Sequence, residues 1–314
     1  MDFRLLLVLF VLAPLAARAI DRDEERTFAV EPGCTLKVDL FRGAIDVRET
    51  DAAEITVVAH LSLAAKTPEE ADRLVAALGF AATQEGDTVS VRASDPEGSG
   101  VRFTWDEKSR VNLECQIFVP RRCSVELRTR EGPVTVGNLA GRVFVRTNRG
   151  NVFIRRIDGT IDAATKSGDL IVSRCSGAVT AATEYGTLRV GTLGGRAVLR
   201  NGGGDIEVLE AHASLDVEAE VGDVTVGLPN DFAGEAKVRT AYGSIFAKID
   251  PTANCVVQAS SFWGHVENKL PLAIEAGGDG KGKLTGRLNA GGSPVTLHAN
   301  GGHVFLQRGD SYFN

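Results

Sequence analysis

The sequence predicts an all-β chain. It reads as a β-solenoid, a β-helix-like stack of 18-residue, two-strand rungs, with a small N-terminal strand/helix excursion. Three observations predict it. Glycine recurs every eighteen residues at Gly132, Gly150, Gly168, Gly186, Gly204 and Gly222, then at Gly243 and Gly264 after three-residue insertions. Apolar and polar residues alternate on both sides of each of these glycines, the pattern of a strand with one buried face. No helical period fits between them. A strict period marks a repeat architecture: one unit cannot bury its apolar face alone, but a stack can.

Each rung reads in order as a corner, a strand, a middle glycine and a second strand. The corners are Gly141, Gly159, Gly177, Gly195 and Gly234, with Ala213 replacing one. Inward pairs on the first strand run Val143/Val145, Ile161/Ala163 and Val179/Ala181; those on the second run Val152/Ile154, Leu170/Val172 and Leu188/Val190. Turning a strand through a sharp corner favours positive φ, which glycine adopts without steric cost. The threonine column Thr147, Thr165, Thr183 and Thr240 predicts hydrogen bonds passed from rung to rung. Residues 123–264 are expected to form consecutive rungs. A Gly-rich, irregular stretch follows at 276–292, and SPVTLHANGGHVFLQ (293–307), around Gly302, restores the pattern for a last rung.

Upstream, PGCTLKVDLFRGAIDV (32–47) aligns with RRCSVELRTREGPVTV (121–136) and supplies a first rung. Between them AEITVVAHLSLA reads as a strand. TPEEADRLVAALG reads as a helix: Thr67 is the N-cap, Pro68 occupies the first turn, Glu70 closes a capping box and Gly79 ends it. Ala71, Leu74, Val75 and Leu78 fall on one face. The expected divisions are a signal peptide at 1–19, an N-terminal segment with the first rung at 20–51, an excursion capping the N-terminal end at 52–118, and the repeats at 119–314.

The opening MDFRLLLVLFVLAPLAARA has an early Arg4, an apolar run from Leu5 to Leu12 and a small-x-small site at Ala17-Arg18-Ala19. It reads as a secretory signal cleaved after Ala19, so the chain is expected to be exported, to the periplasm, the outer surface or the medium. The net formal charge is −6, and loss of residues 1–19, with two Arg and one Asp, makes it −7. That balance carries no global bias toward nucleic acid. Five cysteines, Cys34, Cys115, Cys123, Cys175 and Cys255, show no metal-ligand spacing.

The phrases VRTNRGNVFI (145–154), AATKSGDLIV (163–172) and LHANGGHVFL (297–306), with the turn at Val119-Pro120, resemble the bacterial adhesin-like family of β-strand-repeat proteins, a domain of unknown function. The resemblance covers roughly residues 27–310. It implies the repeat fold and a non-enzymatic role, and it carries over no catalytic residue. The corner cysteines and the Arg-rich early rungs depart from the family pattern.

Solenoid hydrolases and lyases need clustered carboxylates in a groove framed by long loops. Here the middle rungs carry no insertions, and the column Asp169, Asp205, Asp223 is interrupted by Thr187. Asp beside a turn glycine ordinarily bonds backbone. One Asp per turn supplies too few oxygens for calcium. His265 and His303 share a column, but reading rungs in chain order separates them by about two. No cofactor or metal is expected. Charge is the feature that points to a ligand: Arg121 to Arg156 holds nine Arg against Glu126 and Glu131. The candidate binding set is Arg128, Arg142, Phe144, Arg146 and Arg200, on the outward face of the first strands, suited to an acidic polysaccharide or anionic lipid headgroups. Another envelope protein is a further expected partner. The reading is an exported, non-enzymatic binding or structural module of the cell envelope. Its alternatives are a carbohydrate-active enzyme on a β-helix and a scaffold in envelope sensing or assembly.

Overall fold

The computed structural model describes residues 18–65, 67–94, 111–275 and 282–309. These residues form one sheet of 13 strands and one of 14, with a single described helix, Pro68–Leu78. The chain is the all-β solenoid that its periodicity predicts. Strands preceding each middle glycine lie in one sheet, here the leading sheet; strands following it lie in the trailing sheet. Each rung is named below by its middle glycine.

Parallel pairing at an offset of eighteen residues sets like residue beside like. Val143 lies between Val125 and Ile161, and Ile154 between Val136 and Val172. The inward columns fuse into one core in which Val143, Val145, Val152, Ile154, Leu170 and Val172 are buried. Each such side chain contributes about 1.5–3 kcal/mol by leaving water.

The two glycine series are needed for different reasons. Gly168 has φ +140°, and a Cβ there would lie 2.4 Å from the Gly150 carbonyl oxygen. Corner Gly159 is absent from the positive-φ positions, yet its Cβ would lie 2.0 Å from the Gly141 oxygen. From Gly132 to Gly243 the middle glycines are required by positive φ and close approach together, whereas at the corners Gly141, Gly159, Gly177 and Gly195 close backbone approach alone requires glycine.

The threonine column bonds between rungs, but to backbone. Thr165 donates to the Gly150 carbonyl at 3.2 Å, Thr183 to Gly168 at 3.2 Å and Thr240 to Gly222 at 3.1 Å. Asn201 keeps the pattern by donating Nδ2 to Gly186 at 3.0 Å. Among the described residues, Thr147 alone has a buried side-chain oxygen without a partner.

Stack order departs from chain order at both ends. The Gly302 rung, Ser293–Ala299 with Val304–Arg308, pairs with the Gly243 rung on one side and the Gly264 rung on the other. Residues 123–264 are thus not consecutive rungs, and 293–307 does not form the last one. Beyond the Gly264 rung, Lys283–Leu288 adds an antiparallel strand, with Ala273–Ile274 outside it. A strand therefore stands where an irregular stretch was expected; residues 276–281 lie outside the described residues. At the N-terminal end, Thr88–Ala93 and Val111–Pro120 pair parallel outside the Gly43 rung. Ala81–Glu85, Glu54–Ala65 and Arg18–Ala29 then pair antiparallel, so both sheets finish in antiparallel strands at this end, whereas at the other only the leading sheet does and the trailing sheet ends in the parallel strand Val266–Asn268. The helix runs between Glu54–Ala65 and Ala81–Glu85, with Ala71, Leu74 and Leu78 buried in the core and Val75 packed against it. The Thr67 hydroxyl accepts from the Glu70 amide, and Gly79 closes the helix at φ 55°. A solenoid edge left bare would offer free backbone groups to another chain. The signal reading falls mostly on residues 1–17, outside the described residues.

Candidate functional site

On the outer face of the leading sheet, Asp39, Arg128, Arg146, Ala164, Ala182, Arg200, Glu218 and Arg239 form one column, a residue per rung. Side-chain length along it shapes the surface. Arg146 and Arg200 stand at either end of the small pair Ala164 and Ala182. The result is a trough of about 720 Å³, lined also by Lys166 and Tyr185. A second trough, of about 390 Å³, lies toward the N-terminal end. Arg92, Arg128, Arg130 and Arg146 line it, with Asp39 the only acid in its wall among the described residues.

The structure joins part of the set expected from sequence. The Arg128 and Arg146 guanidinium carbons lie 5.1 and 4.2 Å from the Phe144 ring centroid. Such cation–π contacts are worth about 0.5–1 kcal/mol when exposed. Arg200 stands three rungs from Arg146, across the larger trough. Arg142 lines neither trough; it begins its strand at the corner, beside Thr160.

Acids on neighbouring positions meet many of the arginines. Arg146 reaches Asp162 at 2.7 Å and also donates to the Val145 and Asp162 carbonyls. Arg200 pairs with Asp216 at 3.2 Å and Glu218 at 3.3 Å, and Arg128 with Glu126 at 2.8 Å. Arg121 and Arg156 share Asp158, and Arg149 takes Glu131. These pairs are part-exposed and worth about 0–1 kcal/mol each. Arg130 instead sits over the Phe41 ring at 5.1 Å. Among the described residues no carboxylate lies within 4 Å of the guanidinium of Arg92 or Arg130. Sequence reasoning passed over both as site residues. Arg130 was legible, two positions after Arg128 on the same strand. Arg92 was not, because nothing in the repeat pattern sets its strand beside the Gly43 rung.

Across the middle-glycine turn, the acidic column serves the backbone. Asp169 Oδ1 accepts from the Thr187 amide at 2.8 Å, Asp205 Oδ1 from Asp223 at 2.9 Å, and Asp223 Oδ1 from Ser244 at 2.8 Å. The ladder continues through the inserted rung: Ser244 Oγ accepts from the His303 amide, and His303 Nδ1 accepts from the His265 amide, both at 3.2 Å. The two imidazoles sit on adjacent rungs with centroids 4.1 Å apart, which corrects the separation inferred from chain order. The nitrogen of His303 that accepts a hydrogen bond carries no proton in this arrangement.

Fold and surface together define a parallel β-solenoid with polar troughs on one outer face. The chain belongs to the Toastrack DUF4097 family, whose model matches residues 35–302. Three solved structures are similar at low identity. A candidate adhesin from Bacteroides fragilis shares 13% identity, with 91% of this chain and 97% of that one covered and a TM-score of 0.45. A candidate cell adhesion protein from Clostridium sporogenes shares 12% over 91% and 100%, TM-score 0.23. A candidate lipid-binding protein from Parabacteroides distasonis shares 11% over 90% and 96%, TM-score 0.34. A search of curated proteins finds no significant match.

Proposed function

We propose that this chain is a non-enzymatic binding module, exported to the cell envelope or beyond, that holds an anionic polymer or anionic headgroups on its arginine face. One observation carries the reading: four guanidinium groups, of Arg92, Arg128, Arg130 and Arg146, line a single trough whose wall, among the described residues, holds one carboxylate, Asp39. Planar guanidinium forks match carboxylate and phosphate oxygens two at a time. Arg146 also lines the larger trough, but Glu184, Glu218 and Glu220 stand there with Arg200, so the anionic ligand is placed in the smaller one. Arg142 has no part in the site. The non-enzymatic reading is supported by the acidic column, whose Asp oxygens accept backbone amides from rung to rung. Export is supported by the apolar N-terminal run and its Ala17-Arg18-Ala19 site.

The test is binding of polygalacturonate and of phosphatidylglycerol vesicles. The expected affinity falls as the Debye length shrinks from about 10 Å at 0.1 M salt to about 3 Å at 1 M. Arg92→Glu with Arg130→Glu should weaken it by about tenfold or more, with little change in melting, because among the described residues neither side chain has a carboxylate partner to lose. Absence of binding to both probes at low salt, or a double variant that binds like the wild type, overturns the proposal.

A further inference from the structure

The position just before each middle glycine forms one ridge along the solenoid. In stack order it reads Arg42, Glu131, Arg149, Ser167, Tyr185, Gly203, Val221, Tyr242, Gly301 and Trp263. Every Tyr and Trp among the described residues is on it. Tyr185, Tyr242 and Trp263 are 69, 70 and 80% exposed, far beyond what core packing requires of an aromatic. The Gly301 position between Tyr242 and Trp263 comes from the rung inserted out of chain order.

The rings are seated. A Cβ at Gly203 would lie 3.6 Å from the Tyr185 ring, and one at Gly301 3.3 Å from the Tyr242 ring, so each tyrosine leans over the glycine of the next rung. Phe262 props Trp263 edge-to-face, with centroids 5.1 Å apart and planes at 89°. From Tyr185 to Trp263 the ridge crosses five rung spacings, about 24 Å. Flanking positions on the same rungs carry Glu184, Glu220, Asp205 and Asp223, all exposed, and no Lys or Arg. Asp205 and Asp223 use Oδ1 on backbone amides, which leaves each Oδ2 for another donor.

We propose that this ridge, which meets the arginine face only where Tyr185 lines the larger trough, is a second binding site, and that its ligand is an uncharged glycan chain. Tyrosine and tryptophan present a flat apolar face with a polar edge, which suits a sugar ring. Carboxylates beside them accept hydroxyl hydrogens, with charge assistance. Four acids repel an anionic polymer or an anionic bilayer.

The test is native affinity electrophoresis in soluble β-glucan, galactomannan and xylan, with titration of chitohexaose. At least one neutral glycan should bind. Tyr242→Ala and Trp263→Ala should each weaken binding by about tenfold or more, while Tyr242→Phe, which keeps the ring, should stay within about threefold. The Arg92→Glu/Arg130→Glu protein should bind neutral glycans like the wild type, so failure of one site is distinguishable from failure of the other. No binding to any neutral glycan overturns the proposal. So do alanine variants that bind normally, and so does a ridge whose variants lose only vesicle binding.

Discussion

The Ser261 hydroxyl donates to the carbonyl of Gly302 at 2.6 Å. Thr129, Thr165, Thr183, Asn201 and Thr240 each donate to the middle glycine before them in the chain, Thr240 to Gly222. For Ser261 that glycine would be Gly243. The bond to Gly302 shows that the chain lays down the Gly264 rung one place too far out and later fills the gap. The same insertion puts His265 against His303 and sets Tyr242, Gly301 and Trp263 in line.

Val172 is fully buried between Ile154 and Val190, whereas Ile171, one residue earlier, faces outward beside Phe153 and Arg189. Val172→Asp places an unpaired carboxylate in the core and is expected to cost several kcal/mol, on the order of 4. Ile171→Asp is expected to cost about 1 kcal/mol or less. Denaturant melts of the two variants check this, and equal damage would contradict the assignment of faces.

Glycine-to-alanine changes separate the two reasons for glycine. At Gly168 both φ and the neighbouring carbonyl oppose a side chain; at Gly159 only the carbonyl does; at Gly86, φ +56° with open space around it, only φ does. Gly168→Ala and Gly159→Ala should each cost more than about 2 kcal/mol, and Gly86→Ala about 1–2 kcal/mol. A Gly159→Ala protein as stable as the wild type would show that the corner can open to admit a Cβ.

Much of this fold was legible because a solenoid repeats its code. The eighteen-residue period gave the rungs, and alternation assigned Val172 and Ile171 to opposite faces. Stack order was not legible, because every rung presents the same inward columns and the pattern for the Gly302 rung fits any slot. The KLTGRL strand was hidden by Gly286 within it and the glycines on either side. For the candidate site, the Arg128–Phe144–Arg146 cluster follows from register, but Arg92 belongs to a strand whose partner no repeat announces. The aromatic ridge could have been found: Tyr185, Tyr242 and Trp263 each precede a middle glycine.

His60 holds the N-terminal strand by a side-chain hydrogen bond to Asp23, which raises its pKa above the ordinary histidine range, helped by the charges of Asp23, Asp21 and Glu114. In the unfolded chain His60 titrates near 6.5. The stabilisation is therefore fully present below that pH and is lost as pH rises through the higher folded value. An NMR titration should find His60 above about 6.5, returning toward it in Asp23→Asn. No change on that substitution would mean that the pair does not form.

All five cysteines are buried free thiols. Burial pushes Cys115 up to about 12 and Cys255 up to about 11, and it also raises Cys34, Cys123 and Cys175. The thiolate is the nucleophile, so reaction at neutral pH is suppressed. Protein purified under reducing conditions should show no fast reaction with a thiol reagent until it is unfolded, and then five equivalents. Rapid labelling of the native protein would contradict the closed core.

The out-of-sequence stack is what sets Gly301 between Tyr242 and Trp263. Thr296 lies in register between Lys237 and Gln258, all three on the outer face. One rung separates Thr296 from Gln258, about 5 Å, and two separate Lys237 from Gln258, about 10 Å. Cross-linking of cysteine pairs with a bifunctional thiol reagent about 5 Å long measures this directly. An efficient cross-link is expected in Thr296→Cys/Gln258→Cys and none in Lys237→Cys/Gln258→Cys. A cross-link in the second pair and not the first would place the Gly264 rung directly on the Gly243 rung and contradict the out-of-sequence stack.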